Sequence, residues 1–60
     1  MYICHYIASY LNIDGDRVSV FHRGNYLYEL VRVGRHLRWF ENMSLDEVVA
    51  SLQSDGYATE

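Results

Sequence analysis

The most regular hydrophobic pattern in the chain lies towards its C-terminus. Four apolar residues recur there at the i, i+3, i+4 and i+7 spacing of one helix face: Leu45, Val48, Val49 and Leu52. The overlapping run Ser44-Leu45-Asp46-Glu47 fits a capping box, in which the serine hydroxyl accepts from the glutamate amide and the glutamate carboxylate reaches back. Together these signals predict a helix over residues 45–54.

Upstream of this helix, β-branched and aromatic residues alternate with polar ones, which is the pattern of strands with two unlike faces. The alternating stretches are separated by three glycine-bearing turns: Asp14-Gly15-Asp16, Arg23-Gly24-Asn25 and Gly34-Arg35. We therefore predict antiparallel strands near residues 17–22, 26–33 and 36–41.

The last hairpin offers a choice of register. A two-residue turn at Gly34-Arg35 would place Val31 opposite Arg38 and Leu30 opposite Trp39. A shift by one residue would instead set Arg32 against Arg38, and like charges directly opposite each other are unfavourable. The first register is therefore the predicted one.

Because successive strand residues point to opposite sides, this register sorts the side chains into two faces. One face is mainly aliphatic: Val18, Val20, Leu27, Val31, Val33 and Phe40, with His22, Glu29, His36 and Arg38 towards its margins. The other face is aromatic and carries arginine: Phe21, Tyr26, Tyr28, Leu30, Leu37 and Trp39, with Arg17, Ser19 and Arg32. We expect the helix to cover the aliphatic face.

The N-terminal segment, residues 2–12, has two interpretations. Apolar residues recur at helical spacing: Ile3, Tyr6, Ile7, Tyr10 and Leu11. Tyr2, Cys4, Tyr6, Ala8 and Tyr10 also alternate as in a strand, over about residues 3–12, and short apolar runs do not separate the two. The expected fold is α+β, with an antiparallel sheet of three or four strands packed on the C-terminal helix.

Length and composition restrict the class of protein. A chain of 60 residues makes one domain, residues 1–60, with a small core, so binding to a partner or a second copy would supplement its stability. Cys4 is the only cysteine, which excludes an internal disulfide and favours a reducing, cytoplasmic location. No apolar run approaches the roughly 20 residues of a membrane span.

Charge is segregated along the sequence. All five cationic side chains are arginines between Arg17 and Arg38, and Glu29 is the only acid within that stretch. The flanks carry the remaining acids, and the formal net charge is −3. Guanidinium groups suit bidentate contacts with carboxylates or phosphates and stacking on aromatic rings, so the arginine segment is a candidate binding region.

The sequence offers no catalytic, metal or cofactor site. Cys4 and His5 are neighbours whose side chains diverge, so they do not form a nucleophile and its base. His22 and His36 align with opposite ends of the middle strand, too far apart to share a metal. Asp14-Gly15-Asp16 lacks the later ligands of a calcium loop. We expect a protein that is not an enzyme and needs no cofactor.

The strongest candidate for function is a binding surface. Tyrosine, tryptophan and arginine are enriched at interface hot spots, and five such residues are predicted on one sheet face: Arg17, Tyr26, Tyr28, Arg32 and Trp39. Burial of this face beneath residues 2–13 is the structural alternative. The acidic helix surface of Asp46 and Glu47 is a second candidate.

The binding surface could recognise a nucleic acid or a protein, and a homodimer is the alternative to both. A three-stranded sheet followed by a helix resembles the DNA-binding modules of plant ethylene-response factors and phage integrase arms, and an added N-terminal helix would give the order of double-stranded-RNA-binding domains. The net charge of −3 and the acidic helix start at Ser44–Glu47 disfavour nucleic acid. A protein partner is therefore preferred.

In organisation, a short acidic chain with a β-meander (Arg17–Glu41) and a capped helix (Ser44–Gln53) resembles the small inhibitors that phages make against host systems, including anti-CRISPR proteins. The resemblance implies a viral, non-enzymatic protein-binding module that masks a site on a host complex. It covers organisation only and assigns no individual residue.

Overall fold

The computed structural model describes residues 4–60, which form one antiparallel sheet and one helix. The elements in chain order are β1 (His5–Leu11), β2 (Arg17–Gly24), β3 (Leu27–Arg32), β4 (Arg35–Glu41), α1 (Leu45–Ser54) and β5 (Ala58–Thr59). The predicted α+β fold, with an antiparallel sheet packed against a C-terminal helix, is confirmed.

The strand order across the sheet is β4-β3-β2-β1-β5. The first four strands form a meander, so the N-terminal segment is a strand and not a helix; its expected residues 2 and 3 lie outside the described residues. β5 is a strand that the sequence did not predict. It pairs with β1 on the outer side, Tyr10 with Thr59 and Leu11 with Ala58.

The helix begins as its sequence indicates. The Ser44 hydroxyl accepts a hydrogen bond from the Glu47 amide at 3.3 Å, and the Ser44 amide donates to Glu47 Oε1 at 3.1 Å. This reciprocal capping box satisfies backbone donors that the first helical turn leaves free. Gly56, with φ of +89°, lies two residues beyond the helix, where a left-handed conformation favours glycine.

The core lies between α1 and one face of the sheet. Its fully or almost fully buried side chains are Tyr10, Val18, Val20, Leu30, Phe40, Val48 and Leu52. Val18, Val20 and Phe40 were predicted on this face. Leu30 was predicted on the opposite face, and this prediction is wrong.

The error comes from β3, whose two faces are exchanged relative to the prediction. Its residues Tyr28 and Leu30 lie on the helix side, whereas Glu29 and Val31 lie on the other. Two irregularities in the strand pairing flank β3, one between His22 and Gly24 in β2 and one near Leu37 in β4. Each adds a residue to the neighbouring strand, and a one-residue shift moves every side chain to the other face.

The turn of the last hairpin also differs from the prediction. The two turn residues are Val33 and Gly34, with φ of +50° and +75°, and not Gly34 and Arg35. Two central residues with positive φ follow the type I′ pattern, whose twist matches that of the strands. Arg32 therefore pairs with Arg35, and Leu30 pairs with Arg38.

Candidate interface on the open face of the sheet

A single ten-residue helix covers one side of the sheet, and no other element of residues 4–60 lies over the opposite side. We call this side the open face. One row of side chains crosses all four long strands on it: Tyr6, Phe21, Glu29 and Trp39. A second row follows beside it: Ser9, Ser19, Val31 and His36. The open face thus combines aromatic groups with a central carboxylate.

The centre of the open face is an ion network around Glu29. Arg23 Nε donates a hydrogen bond to Glu29 Oε1 at 2.7 Å, and the Arg23 Nη2 atom forms an ion pair with the same oxygen at 2.7 Å. His36 Nδ1 lies 2.8 Å from Glu29 Oε2. Both carboxylate oxygens are therefore engaged, and Glu29 is only 7% exposed although nothing in α1 covers it. A buried charge needs such partners.

This environment keeps Glu29 ionised. Burial by itself would raise the pKa of Glu29, but the hydrogen bonds from His36 and Arg23, together with the charge of Arg23, outweigh it and lower the pKa. The hydrogen bond to Glu29 in turn raises the pKa of Arg23. The network therefore holds a fixed negative charge against a fixed positive one, with His36 as a third member.

Aromatic side chains flank the network on both sides. Tyr6 and Phe21 meet edge to face with ring centroids 5.8 Å apart, and the Arg23 guanidinium lies 5.7 Å from the Phe21 centroid. On the other side, the rings of His36 and Trp39 are 4.8 Å apart. Such contacts restrict the rotamers of these large side chains before binding. Less side-chain entropy would therefore be lost when a partner binds.

Several of these side chains remain accessible. Tyr6 is 58% exposed and Trp39 is 45% exposed. When a partner binds, exposed aromatic groups can bury apolar area. The neighbouring Arg23–Glu29–His36 network holds polar atoms at fixed positions for hydrogen bonds to that partner. The geometry therefore suits recognition of another surface.

The Glu29 network makes stability depend on pH. Because the folded pKa of Glu29 is lowered, its contribution is fully present above about pH 5 and is lost as the pH falls through the ordinary glutamate pKa and then through the folded value. We expect Glu29→Gln to cost about 1 kcal/mol at pH 7. The cost should shrink when the pH is taken well below the ordinary glutamate pKa of about 4.3 and then below the folded value, as measured by urea unfolding at pH 7 and at the lower pH. An equal cost at both would contradict the network's ionic role.

The residues proposed from the sequence as one binding face do not all lie together, and that grouping is wrong. Trp39 lies on the open face, and Arg17 lies at its end, 2.7 Å from Glu60. Tyr28 lies on the helix side and stacks on His22 at 4.9 Å. The physical reason is the exchange of faces in β3 described above.

Two further members of that group lie elsewhere. Tyr26 is in the β2–β3 turn with φ of +55° and is 64% exposed. Arg32 lies on the helix side of β3, and its guanidinium is 2.9 Å from Asp16. Asp46 and Glu47 are exposed in the first turn of α1, where Glu47 completes the capping box. Whether any of these residues binds a partner stays a prediction.

The sequence did not single out Tyr6, Phe21, Arg23, Glu29 and His36 as one site. One signal was present, because Glu29 is the only acid within the arginine segment. A lone carboxylate among cations is the natural centre of an ion network. Its partners followed only from the strand register, which was predicted incorrectly for the β3–β4 hairpin.

Other kinds of site are not found in the part of the chain that the structure describes. Residues 4–60 contain no group of three or more potential metal-ligating side chains, histidine, cysteine and acidic residues together. Within the same range, no helix has the length and apolar character needed to cross a membrane.

Comparison with known proteins adds no assignment: no family model, no curated protein and no solved structure matches the chain.

Proposed function

We propose that this chain is a non-enzymatic protein-binding module that docks a partner on its open face. The observation that carries the proposal is the row of aromatic groups around the Arg23–Glu29 pair, on a face that no other element of residues 4–60 covers. Tryptophan, tyrosine and arginine are the residues most enriched at interface hot spots. A partner that covers this face would remove Trp39 and Tyr6 from water.

The charges of the open face favour a protein over nucleic acid. Arg23 is neutralised by Glu29, and Arg17 is paired with Glu60. Binding to a phosphate backbone gains most of its energy from cations that replace counterions, and paired arginines in a chain of net charge −3 supply little of that. A protein surface with its own mixture of apolar and polar groups is the better match.

We further propose that the module acts by masking a site on a host complex, in the manner of small phage inhibitors. This part of the proposal rests on the resemblance in organisation: a meander, a capped helix and a short acidic chain. If the target is a bacterial complex, a bacterial lysate is the right source of partners.

The test is capture from bacterial lysate with the immobilised protein and two variants. Trp39→Ala removes the largest exposed ring of the open face, and Asp46→Ala is the matched control on the helix surface. We expect one partner at constant stoichiometry with the wild type and Asp46→Ala, and at least tenfold less with Trp39→Ala, a loss typical of a hot spot. Equal capture by Trp39→Ala would refute the open face as interface.

A homodimer that buries the open face is the alternative. Sedimentation equilibrium over a wide concentration range distinguishes the two. A concentration-independent monomer excludes the dimer, whereas association that Trp39→Ala abolishes would identify the occupant of the open face as a second copy.

A further inference from the structure

The tip of the β3–β4 hairpin has features that the fold does not need. We define the hairpin tip as Arg32, Val33, Gly34, Arg35 and the adjacent Leu37. It surrounds a surface cavity of about 530 Å³, lined by Arg32, Val33, Arg35 and Leu37. This site goes beyond the function proposed above, because it contains none of the aromatic or charged residues of the open face.

The first unusual feature is the conformation of Val33. Its φ is +50°, in the left-handed region that β-branched residues rarely adopt. A type I′ turn is normally built from Asn-Gly, so valine at this position carries backbone strain. The side chain is also 92% exposed, so no burial within the fold offsets that strain. Residues held in strained conformations cluster at functional sites.

The second feature is the pairing of two arginines. Arg32 and Arg35 lie directly opposite each other across the hairpin, where like charges are destabilising. Asp16 neutralises Arg32 at 2.9 Å. Within residues 4–60, Arg35 has no ion-pair partner. The cavity therefore carries one uncompensated guanidinium next to apolar side chains.

We propose that the hairpin tip recognises an acidic peptide segment of a partner protein. A carboxylate of the peptide binds the Arg35 guanidinium, which can hold it with two parallel hydrogen bonds. A neighbouring aliphatic side chain of the peptide packs against Val33 and Leu37. The exposure of Val33 and the free charge of Arg35 then have one common purpose.

The cavity suits a peptide better than a nucleic acid. One uncompensated positive charge matches a single carboxylate, whereas a phosphate backbone would need several cations. The lining contains no aromatic ring on which a base could stack. Asp16 already pairs with Arg32 at 2.9 Å, so Arg32 is not available as a second cation for a phosphate backbone.

The experiment is a titration of the isotope-labelled protein followed by amide chemical shifts. The probe is the blocked peptide acetyl-Leu-Glu-Leu-amide, which carries one carboxylate; the controls are acetyl-Leu-Gln-Leu-amide and a short oligothymidylate. We expect millimolar binding of the acidic peptide, with shifts confined to residues 32–37, and at least fivefold weaker binding of the glutamine peptide. Absence of shifts, equal binding of both peptides, or the same shifts with the oligonucleotide instead would overturn the proposal.

Three variants make the test specific. Arg35→Gln should weaken binding at least fivefold, and Trp39→Ala should leave it unchanged, which separates this site from the open face. Val33→Asn removes the strain, so we expect the thermal midpoint to rise by roughly 4–8 °C while peptide binding weakens at least threefold. A stabilised Val33→Asn that binds the peptide as well as the wild type, or a Val33→Asn that is less stable, would contradict the inference.

Discussion

Phe40→Ala is expected to remove a large part of the protein's free energy of unfolding. Phe40 is 1% exposed and is the largest of the fully buried side chains between the sheet and α1. Truncating a buried phenylalanine typically costs about 3–5 kcal/mol, because transfer energy is lost and a cavity remains. At about 0.05–0.15 kcal/mol per residue, a 60-residue domain has about 3–9 kcal/mol of stability, so the substitution removes a large part of it. Circular dichroism and urea titration would measure the loss.

The matched control is the preceding residue on the same strand. Trp39 points to the open face and is 45% exposed, so Trp39→Ala should cost no more than about 1 kcal/mol. The two substitutions remove aromatic rings from adjacent positions and differ chiefly in the face they alter. Equal losses of stability would show that the assignment of β4 to its two faces is incorrect.

Removal of residues 57–60 is the second change with a large expected effect. It deletes Tyr57, which packs against the core, and β5, which pairs with β1. The Tyr57 amide also donates to the Leu52 carbonyl at 2.9 Å, and the Glu60 amide donates to the Ser9 carbonyl at 3.1 Å. Lost burial and several backbone hydrogen bonds together should cost about 2–4 kcal/mol.

Hydrogen exchange would locate the effect of this deletion. We expect faster exchange of the β1 amides that face β5, together with a lower urea midpoint. Glu60→Gln is the control, because it removes only the exposed ion pair to Arg17 and should cost less than about 0.5 kcal/mol. Unchanged protection of β1 in the shortened chain would show that β5 adds nothing to the sheet.

The helix could be predicted to the residue because its signals are local. Ser44 and Glu47 form the cap, and the apolar spacing sets the buried face, all within one short segment. The approximate positions of β2, β3 and β4 could also be predicted from local signals. These were the alternation of apolar and polar residues within each strand and the glycines in the turns between strands. β5 could not be predicted, because a two-residue strand acquires its hydrogen bonds only from β1.

The faces of β3 could not be derived from alternation alone. They depend on extra residues in the strands on either side, near Arg23 and Leu37, and a bulge has no strong sequence signal. The turn at Val33 was missed because valine is disfavoured where φ is positive. Strain of this kind is visible only once the backbone is known.

The candidate interface was partly predictable. Trp39 was expected opposite the helix and lies there. The ion network was not expected, because it joins Arg23, Glu29 and His36 from three different strands. To predict this network, the registers of both the β2–β3 and the β3–β4 pairings must be known. The predicted register of the β3–β4 pairing was incorrect.

The order of strands in the sheet has a consequence for folding kinetics. Each of the first four strands pairs with its neighbour in the chain, so three of the four strand pairings close over short loops. Such local closure is entropically inexpensive and favours rapid folding. The pairing of β5 with β1 joins segments from opposite ends of the sequence, so we expect it to form last. Its contribution therefore slows unfolding more than it speeds folding.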